Sequence, residues 1–146
     1  MDKQKREQSV GFQFGMFMRV FRKLIVKRFN EFDTGLTPDQ FAILVKVQEE
    51  GEPTQTEISA TMGLDKSAVL RVIDILESKH LIARINDAGD RRKKALVLTQ
   101  KGSEKLHEAE LLFEKLMTDV SQGINPGEVQ DFLKTLEKMR TNAEQL

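Results

Sequence analysis

The side chains best suited to bind a nucleic-acid backbone gather between residues 65 and 99. Four consecutive cations at 91–94 separate two short apolar runs, 81–85 and 95–98, and a predicted helix at 65–79 precedes them. Guanidinium groups suit a narrow, electronegative groove because they are charged and weakly hydrated. Taken alone, such a run is more often a solvated hairpin tip. Because the run follows a predicted helix, its position favours binding to duplex DNA, with the helix in a major groove and the hairpin tip in a minor groove.

The net charge of the chain is zero, but the charge is unevenly distributed. Residues 65–101 hold nine basic and five acidic side chains, and residues 1–36 hold eight and four, so each segment carries +4. Residues 37–64 and 102–146 each carry −4. Local charge governs attraction to phosphate, because ordinary salt screens it beyond about 8–10 Å. Residues 65–101 therefore form a basic region of a neutral chain.

The composition argues against several other classes of protein. No cysteine is present, and His80 and His107 alone do not supply the ligands that zinc sites use, so we expect no metal. No nucleophile has a base partner in a known motif and there is no phosphate-binding glycine loop, so we expect neither an enzyme nor a cofactor. No apolar run approaches the ~18 residues of a membrane span. We expect a soluble, cytoplasmic protein.

Two short predicted helices before the hairpin form a helix-turn-helix pattern. The first begins at the capping box that starts with Thr54 and ends at Gly63, and Asp65 caps the second. In the second helix, four apolar residues predict an inward stripe: Val69, Val72, Ile73 and Leu76. Its outward face, which would reach bases near the helix N-terminus, consists of Ser67, Leu70, Arg71, Asp74 and Ser78.

Several residues of these two helices are candidates for contact with DNA. Lys66 suits a phosphate contact better than a base contact. Arg71 could contact a base or a phosphate, or pair with Asp74 three residues further on; the fold favours the contact with DNA. The N–H groups at Thr54 and Gln55 could bind a phosphate, although capping alone explains Thr54.

The hairpin tip supplies two arginines and one lysine as candidates for contact with DNA. Residues 82–85 and 95–98 have strand composition, and Gly89 supplies the turn between them. Arg91 and Arg92 lie at the tip. Lys93 and Lys94 alternate along a strand, so at most one of them faces the duplex.

The two flanks of this block are predicted to be helical. Residues 9–32 are apolar on more than one face, which favours a surface covered by a second copy of the chain over a simple core helix. Two further amphipathic helices follow residue 99, the second capped by Asn125. We therefore predict a mainly α chain with a small β-hairpin. Residues 37–101 would form a winged helix-turn-helix DNA-binding domain, and 1–36 with 102–146 a helical dimerisation region.

Three motifs resemble the MarR family of bacterial winged helix-turn-helix transcription regulators. They are the segments Leu36-Thr37-Pro38-Asp39-Gln40-Phe41, Gly63-Leu64-Asp65-Lys66-Ser67-Ala68-Val69 and Asp90-Arg91-Arg92-Lys93-Lys94-Ala95-Leu96-Val97-Leu98-Thr99-Gln100-Lys101-Gly102. The third is the most specific, and the resemblance runs from Leu36 to Lys105. The helical flanks also match the layout of the family.

The resemblance implies an obligate homodimer that inserts two recognition helices into successive major grooves. Arg92 matches the wing-tip arginine of the family, Asp90 the acid that orients it, and Arg91 is a neighbouring candidate. Ser67 and Arg71 match positions that commonly contact bases or phosphate. Leu70 stands where a polar residue is common.

We predict a homodimeric repressor or activator, with the repressor favoured, that binds a pseudo-palindromic operator and that a small ligand could release. In this family, ligands bind where the dimer region meets the DNA-binding lobe, and the aromatic residues Phe14, Phe17, Phe21 and Phe41 are candidates to line such a site. The alternative is a winged-helix module that binds protein and not DNA, because the fold serves both.

Overall fold

The computed structural model describes residues 2, 5, 7–63, 65–90 and 92–146. From residue 10 onward, the described residues form six helices and one hairpin. In chain order these are α1 (Val10–Glu31), α2 (Pro38–Glu50), α3 (Gln55–Met62), α4 (Lys66–Ser78), β1 (Ile82–Asn86), β2 (Lys94–Leu98), α5 (Gln100–Val120) and α6 (Pro126–Glu144). The predicted mainly α class with a hairpin after a helix-turn-helix is confirmed. None of the helices in the described ranges is long and apolar enough to cross a bilayer.

The helix starts follow from local capping chemistry. Thr37, Thr54 and Asn125 each accept a hydrogen bond from a backbone N–H of the first turn, and a Gln or Glu three residues later bonds back to the cap. Each of these reciprocal pairs satisfies two N–H groups that a helix start leaves without partners. The capping box predicted at Thr54 and the cap predicted at Asn125 are therefore confirmed.

The strand β2 has backbone partners on both of its sides. It pairs antiparallel with β1, with Ile82 opposite Leu98 and Asn86 opposite Lys94. On its other side, the Leu96 N–H donates to the Pro53 carbonyl at 2.8 Å. The segment before α3 thus pairs with the outer side of β2. This pairing fixes the base of the wing against the helix-turn-helix.

The chain forms two compact units, residues 1–112 and 113–146. The core of the first unit is built from fully buried apolar residues of several helices and of the hairpin, among them Ile43, Leu44, Ile58, Val69, Ile73, Leu76, Ile82, Leu96 and Leu106. The stripe predicted in α4 is confirmed, since three of its members are buried and Val72 packs against them.

The helix α1 contributes little to this core. Phe29 is its one buried residue, whereas Val10, Phe14 and Phe17 are 64%, 44% and 43% exposed. In α6 no residue is buried, and Leu133 is 58% exposed. These helices therefore carry apolar surface that one copy of the chain leaves in water.

Gly102 lies very close to the backbone of Leu81. A Cβ atom at this position would lie 1.8 Å from the carbonyl oxygen of Leu81. The same turn is held by Thr99, whose N–H donates to Leu81 and whose hydroxyl donates to His80. The absence of a side chain at Gly102 thus lets the start of α5 close against the entry of β1.

Candidate nucleic-acid interface

The turn between α3 and α4 is built by one glycine and one aspartate. Gly63 ends α3 in the left-handed region, at φ 60° and ψ 23°. The Asp65 carboxylate then accepts bonds from the N–H groups of Ser67 and Ala68, at 3.0 and 3.1 Å, and from the Ser67 hydroxyl. These bonds lower the pKa of Asp65. The start of α4 is therefore rigidly capped.

The outward face predicted for α4 is confirmed, because all five of its residues are exposed: Ser67, Leu70, Arg71, Asp74 and Ser78. Some of its polar groups have partners within the chain. The Ser67 hydroxyl donates to Asp65, and the Ser78 hydroxyl donates to the Ile75 carbonyl at 2.7 Å. Both hydroxyl protons are therefore already used.

Arg71 has no partner on its own helix. The alternative pairing with Asp74 does not form, because Asp74 accepts from the Arg84 guanidinium at 2.5 Å. Among the described residues, the Arg71 side chain makes neither a hydrogen bond nor an ion pair. Its guanidinium is available to an external anion.

Arg84 is a residue that the sequence reasoning missed. It lies on β1, and its guanidinium bonds to both Asp74 and Glu77 of α4. Burial lowers its pKa, but the two carboxylates more than offset this effect and raise it. These two ion pairs hold the hairpin against α4. They join elements that are adjacent in space and not in sequence, so the sequence alone did not reveal them.

The wing tip is closed by its two aspartates. The Asp87 carboxylate accepts from the N–H groups of Gly89 and Asp90, at 2.9 and 2.7 Å. The Asp90 carboxylate accepts from the Arg92 backbone N–H at 3.0 Å. The expectation that Asp90 orients the Arg92 side chain needs correction, because the contact is to the main chain. The candidate Arg91 lies outside the described residues.

The lysines beside the tip have different surroundings. Both Lys93 and Lys94 are exposed. Lys94 donates to the Asn86 amide oxygen across the hairpin at 2.6 Å. Lys93 lies near Glu57 and helps to lower the pKa of that carboxyl, after the larger effect of Thr54. Neither lysine is thereby excluded from a contact with DNA.

The phosphate site expected at the start of α3 is partly occupied. The Glu57 carboxylate accepts from the Thr54 N–H and from the Thr54 hydroxyl, both at 2.7 Å. This carboxylate would compete with a phosphate for the Thr54 N–H, and the contact expected at Thr54 stays a prediction. Gln55, which is half-buried, stays a candidate.

Two separate ring contacts include three of the four aromatic candidates for a ligand site. Phe17 and Phe21 stack with centroids 5.4 Å apart, and Phe41 meets Phe29 edge-on at 5.5 Å. Phe14 is exposed. Their role in ligand binding stays a prediction.

Residues 36–94, which span the helix-turn-helix and most of the wing, match the sequence model of the MarR family. Over these residues the chain is similar to the MarR family. The resemblance drawn from its motifs is confirmed.

Solved structures share the fold of this protein over nearly the whole chain. BldR from Sulfolobus solfataricus is 25% identical, with a TM-score of 0.82 and coverage of 97% of this chain and 99% of BldR. CouR from Rhodococcus jostii RHA1, bound to p-coumaroyl-CoA, is 27% identical, with a TM-score of 0.80 and coverage of 91% and 92%. The transcriptional repressor CouR on a 23-mer DNA duplex is 23% identical, with a TM-score of 0.84 and coverage of 96% and 98%, and shows the shared fold.

The match to the MarR family over residues 36–94, together with the likeness to the transcriptional regulator BldR, supports a DNA-binding regulator of transcription as the class of this protein. It agrees with the expectation that the chain is not an enzyme.

Proposed function

We propose that this chain is a homodimeric repressor of the MarR type that binds a pseudo-palindromic operator and is released from it by a small ligand. Each copy would place α4 in a major groove and the tip of the wing in the neighbouring minor groove. Because the dimer would have two-fold symmetry, its half-sites should lie one helical turn, ~34 Å, apart.

The observation that carries this proposal is an asymmetry between acids and bases in residues 65–101. Every acidic side chain there accepts a hydrogen bond from within the chain: Asp65, Asp74, Glu77, Asp87 and Asp90. The side chains of Lys66, Arg71 and Arg92 have no hydrogen-bond or ion-pair partner among the described residues. The surface of α4 and of the wing therefore offers cationic side chains without partners, whereas its carboxylates already have hydrogen-bond partners within the chain. Free cations on a groove-sized helix and hairpin suit a phosphate backbone.

The homodimer is supported by the apolar surface that the single chain exposes. Phe12, Met16 and Met18 of α1 are 38%, 39% and 44% exposed, and Phe132 of α6 is 53% exposed. Apolar surface of this extent in a monomer usually marks an interaction site. A second copy would bring an equivalent surface, as two-fold interfaces require.

Repression and release by a ligand draw on the relatives. One CouR, described as a transcriptional repressor, is bound to a DNA duplex, and CouR from Rhodococcus jostii RHA1 is bound to p-coumaroyl-CoA. In the present chain, we propose that Phe14, Phe17, Phe21 and Phe41 contribute to a site for an apolar effector. Such a ligand would act by favouring a spacing of the two recognition helices that no longer fits the operator.

A titration of a DNA duplex at several salt concentrations tests the central claim. Phosphate neutralisation releases counterions, so the logarithm of the binding constant should fall with a slope of about −0.9 for each phosphate contacted. The alternative, a winged helix that binds another protein, predicts no duplex binding or a flat salt response. Either result would reject the proposal.

A further inference from the structure

The apolar side chain of Leu70 stands out on the exposed face of α4. It is 37% exposed, and Ser67 and Asp74 lie on the same side of the helix at the i−3 and i+4 positions. A leucine side chain on this face forms no hydrogen bond with water or with a phosphate. Resting on the DNA binding proposed above, we infer that Leu70 is a specificity-determining residue that reads the C5-methyl group of a thymine.

The polar groups around Leu70 leave few other means of reading bases. Asp74 and Glu77 could accept a hydrogen bond from the cytosine amino group, but both carboxylates are bound to Arg84. The Ser67 hydroxyl proton is donated to Asp65. On this face, Arg71 is then the donor without a partner among the described residues, and Leu70 is the apolar group.

The major groove presents one apolar group, the thymine methyl. A leucine brought against it removes apolar surface of both partners from water. One buried CH₂ contributes ~0.8 kcal/mol, so we expect about a fourfold loss of affinity for each such methyl group removed. A cytosine at the same position would lack the methyl group and would be discriminated against.

The experiment uses the full chain and a duplex selected by it from a randomised pool. Each thymine of the selected site is replaced in turn by deoxyuridine, which lacks only the methyl group. The wild-type chain should lose about fourfold in affinity at one thymine of each half-site and be unaffected at the others.

The same duplexes are then bound by two variants. For Leu70→Ala, the deoxyuridine penalty should disappear at that thymine. For Arg71→Ala, overall affinity should fall while the penalty stays, which serves as the matched control. Because both side chains are exposed, we expect the two variants to be equally stable when thermal unfolding is measured.

The outcomes separate this inference from the proposed function. If no duplex is bound, both fail. If a duplex is bound with the expected salt dependence but no deoxyuridine weakens binding, or if Leu70→Ala keeps the same penalty, Leu70 does not read a methyl group and only the present inference is overturned.

Discussion

Arg84 and Asp74 join the wing to the recognition helix. The guanidinium of Arg84 on β1 donates to the Asp74 carboxylate on α4 at 2.5 Å, and it also bonds to Glu77 one turn further along. The Arg84 side chain is 23% exposed, less than either carboxylate. The two parts that would contact DNA are therefore held in a fixed relation by one arginine.

Replacing Arg84 by Gln should weaken both the fold and the binding of DNA. The change breaks two charge-assisted bonds and leaves two uncompensated carboxylates on the face proposed to meet phosphates. Because both carboxylates are partly solvated, we expect the free energy of unfolding to fall by only about 1 kcal/mol. The affinity for a duplex should fall more. Urea unfolding and duplex titration measure the two effects.

The control for Arg84 is the surface pair of Arg22 and Asp39. These side chains are 66% and 48% exposed and lie 3.4 Å apart. Arg22→Gln should change stability by no more than ~0.5 kcal/mol and leave duplex binding unchanged. Equal effects of the two substitutions would show that Arg84 has no special role in placing the wing.

Gly102 should not tolerate a side chain. The Cβ of Gly102→Ala would lie 1.8 Å from the Leu81 carbonyl oxygen, so α5 or the entry of β1 must move. We expect the free energy of unfolding to fall by ~3 kcal/mol or more. Gly127→Ala is the control, since its Cβ would approach Asn125 no closer than 3.4 Å, and it should change stability by less than ~1 kcal/mol. Similar urea midpoints for the two variants would contradict this packing.

Features with local causes were predictable from the sequence. Capping boxes at Thr37 and Thr54 rest on residues three positions apart, so they set the helix starts without knowledge of the rest of the fold. The apolar stripe of α4 follows in the same way from helical periodicity. The resemblance to the MarR family likewise rested on short motifs, such as the one that ends in Gly102.

Features that depend on distant residues could not be read from the sequence. Arg84 pairs with Asp74 ten positions earlier, across a change from helix to strand. The bond between Leu96 and Pro53 joins two segments more than 40 residues apart. In the same way, Asp90 could be placed at the wing tip, but the choice between the backbone and the side chain of Arg92 needed coordinates.

The cap at Asp65 should make stability depend on pH in the acid range. Hydrogen bonds from Ser67 and Ala68 hold the pKa of Asp65 below its ordinary value of 3.8. A depressed pKa in the folded state gives stability that is present above the unfolded-state value and is lost as the pH falls through the folded-state value. Asp65→Asn keeps a capping oxygen without the charge. Its stability difference from the wild-type chain should shrink between pH 5 and 2 in urea titrations; a constant difference would contradict a charged cap.

Arg71 and Arg92 should contribute to DNA binding in distinguishable ways. If Arg71 reads a base, Arg71→Ala should cost ~1–3 kcal/mol and relax the preference at one position. Arg92→Ala should weaken binding to most sites, because a wing in the minor groove acts with little base discrimination. Lys115→Ala removes one exposed positive charge from α5, outside the proposed interface, and is the control. Binding to a panel of operator variants checks all three, and unchanged affinity for both arginine variants would reject the assigned contacts.

The proposed dimer should depend on the exposed face of α1. Val20 is 61% exposed in the single chain. In Val20→Glu, a second copy would have to bury an unpaired carboxylate, which is costly, so the dimer should dissociate at concentrations where the wild-type chain stays dimeric. Sedimentation equilibrium measures this change. Ile75→Glu is the matched control, because Ile75 is also an exposed apolar residue, at 43%, but lies on α4. A Val20→Glu chain that remains dimeric, or an Ile75→Glu chain that dissociates equally, would show that the dimer uses another surface.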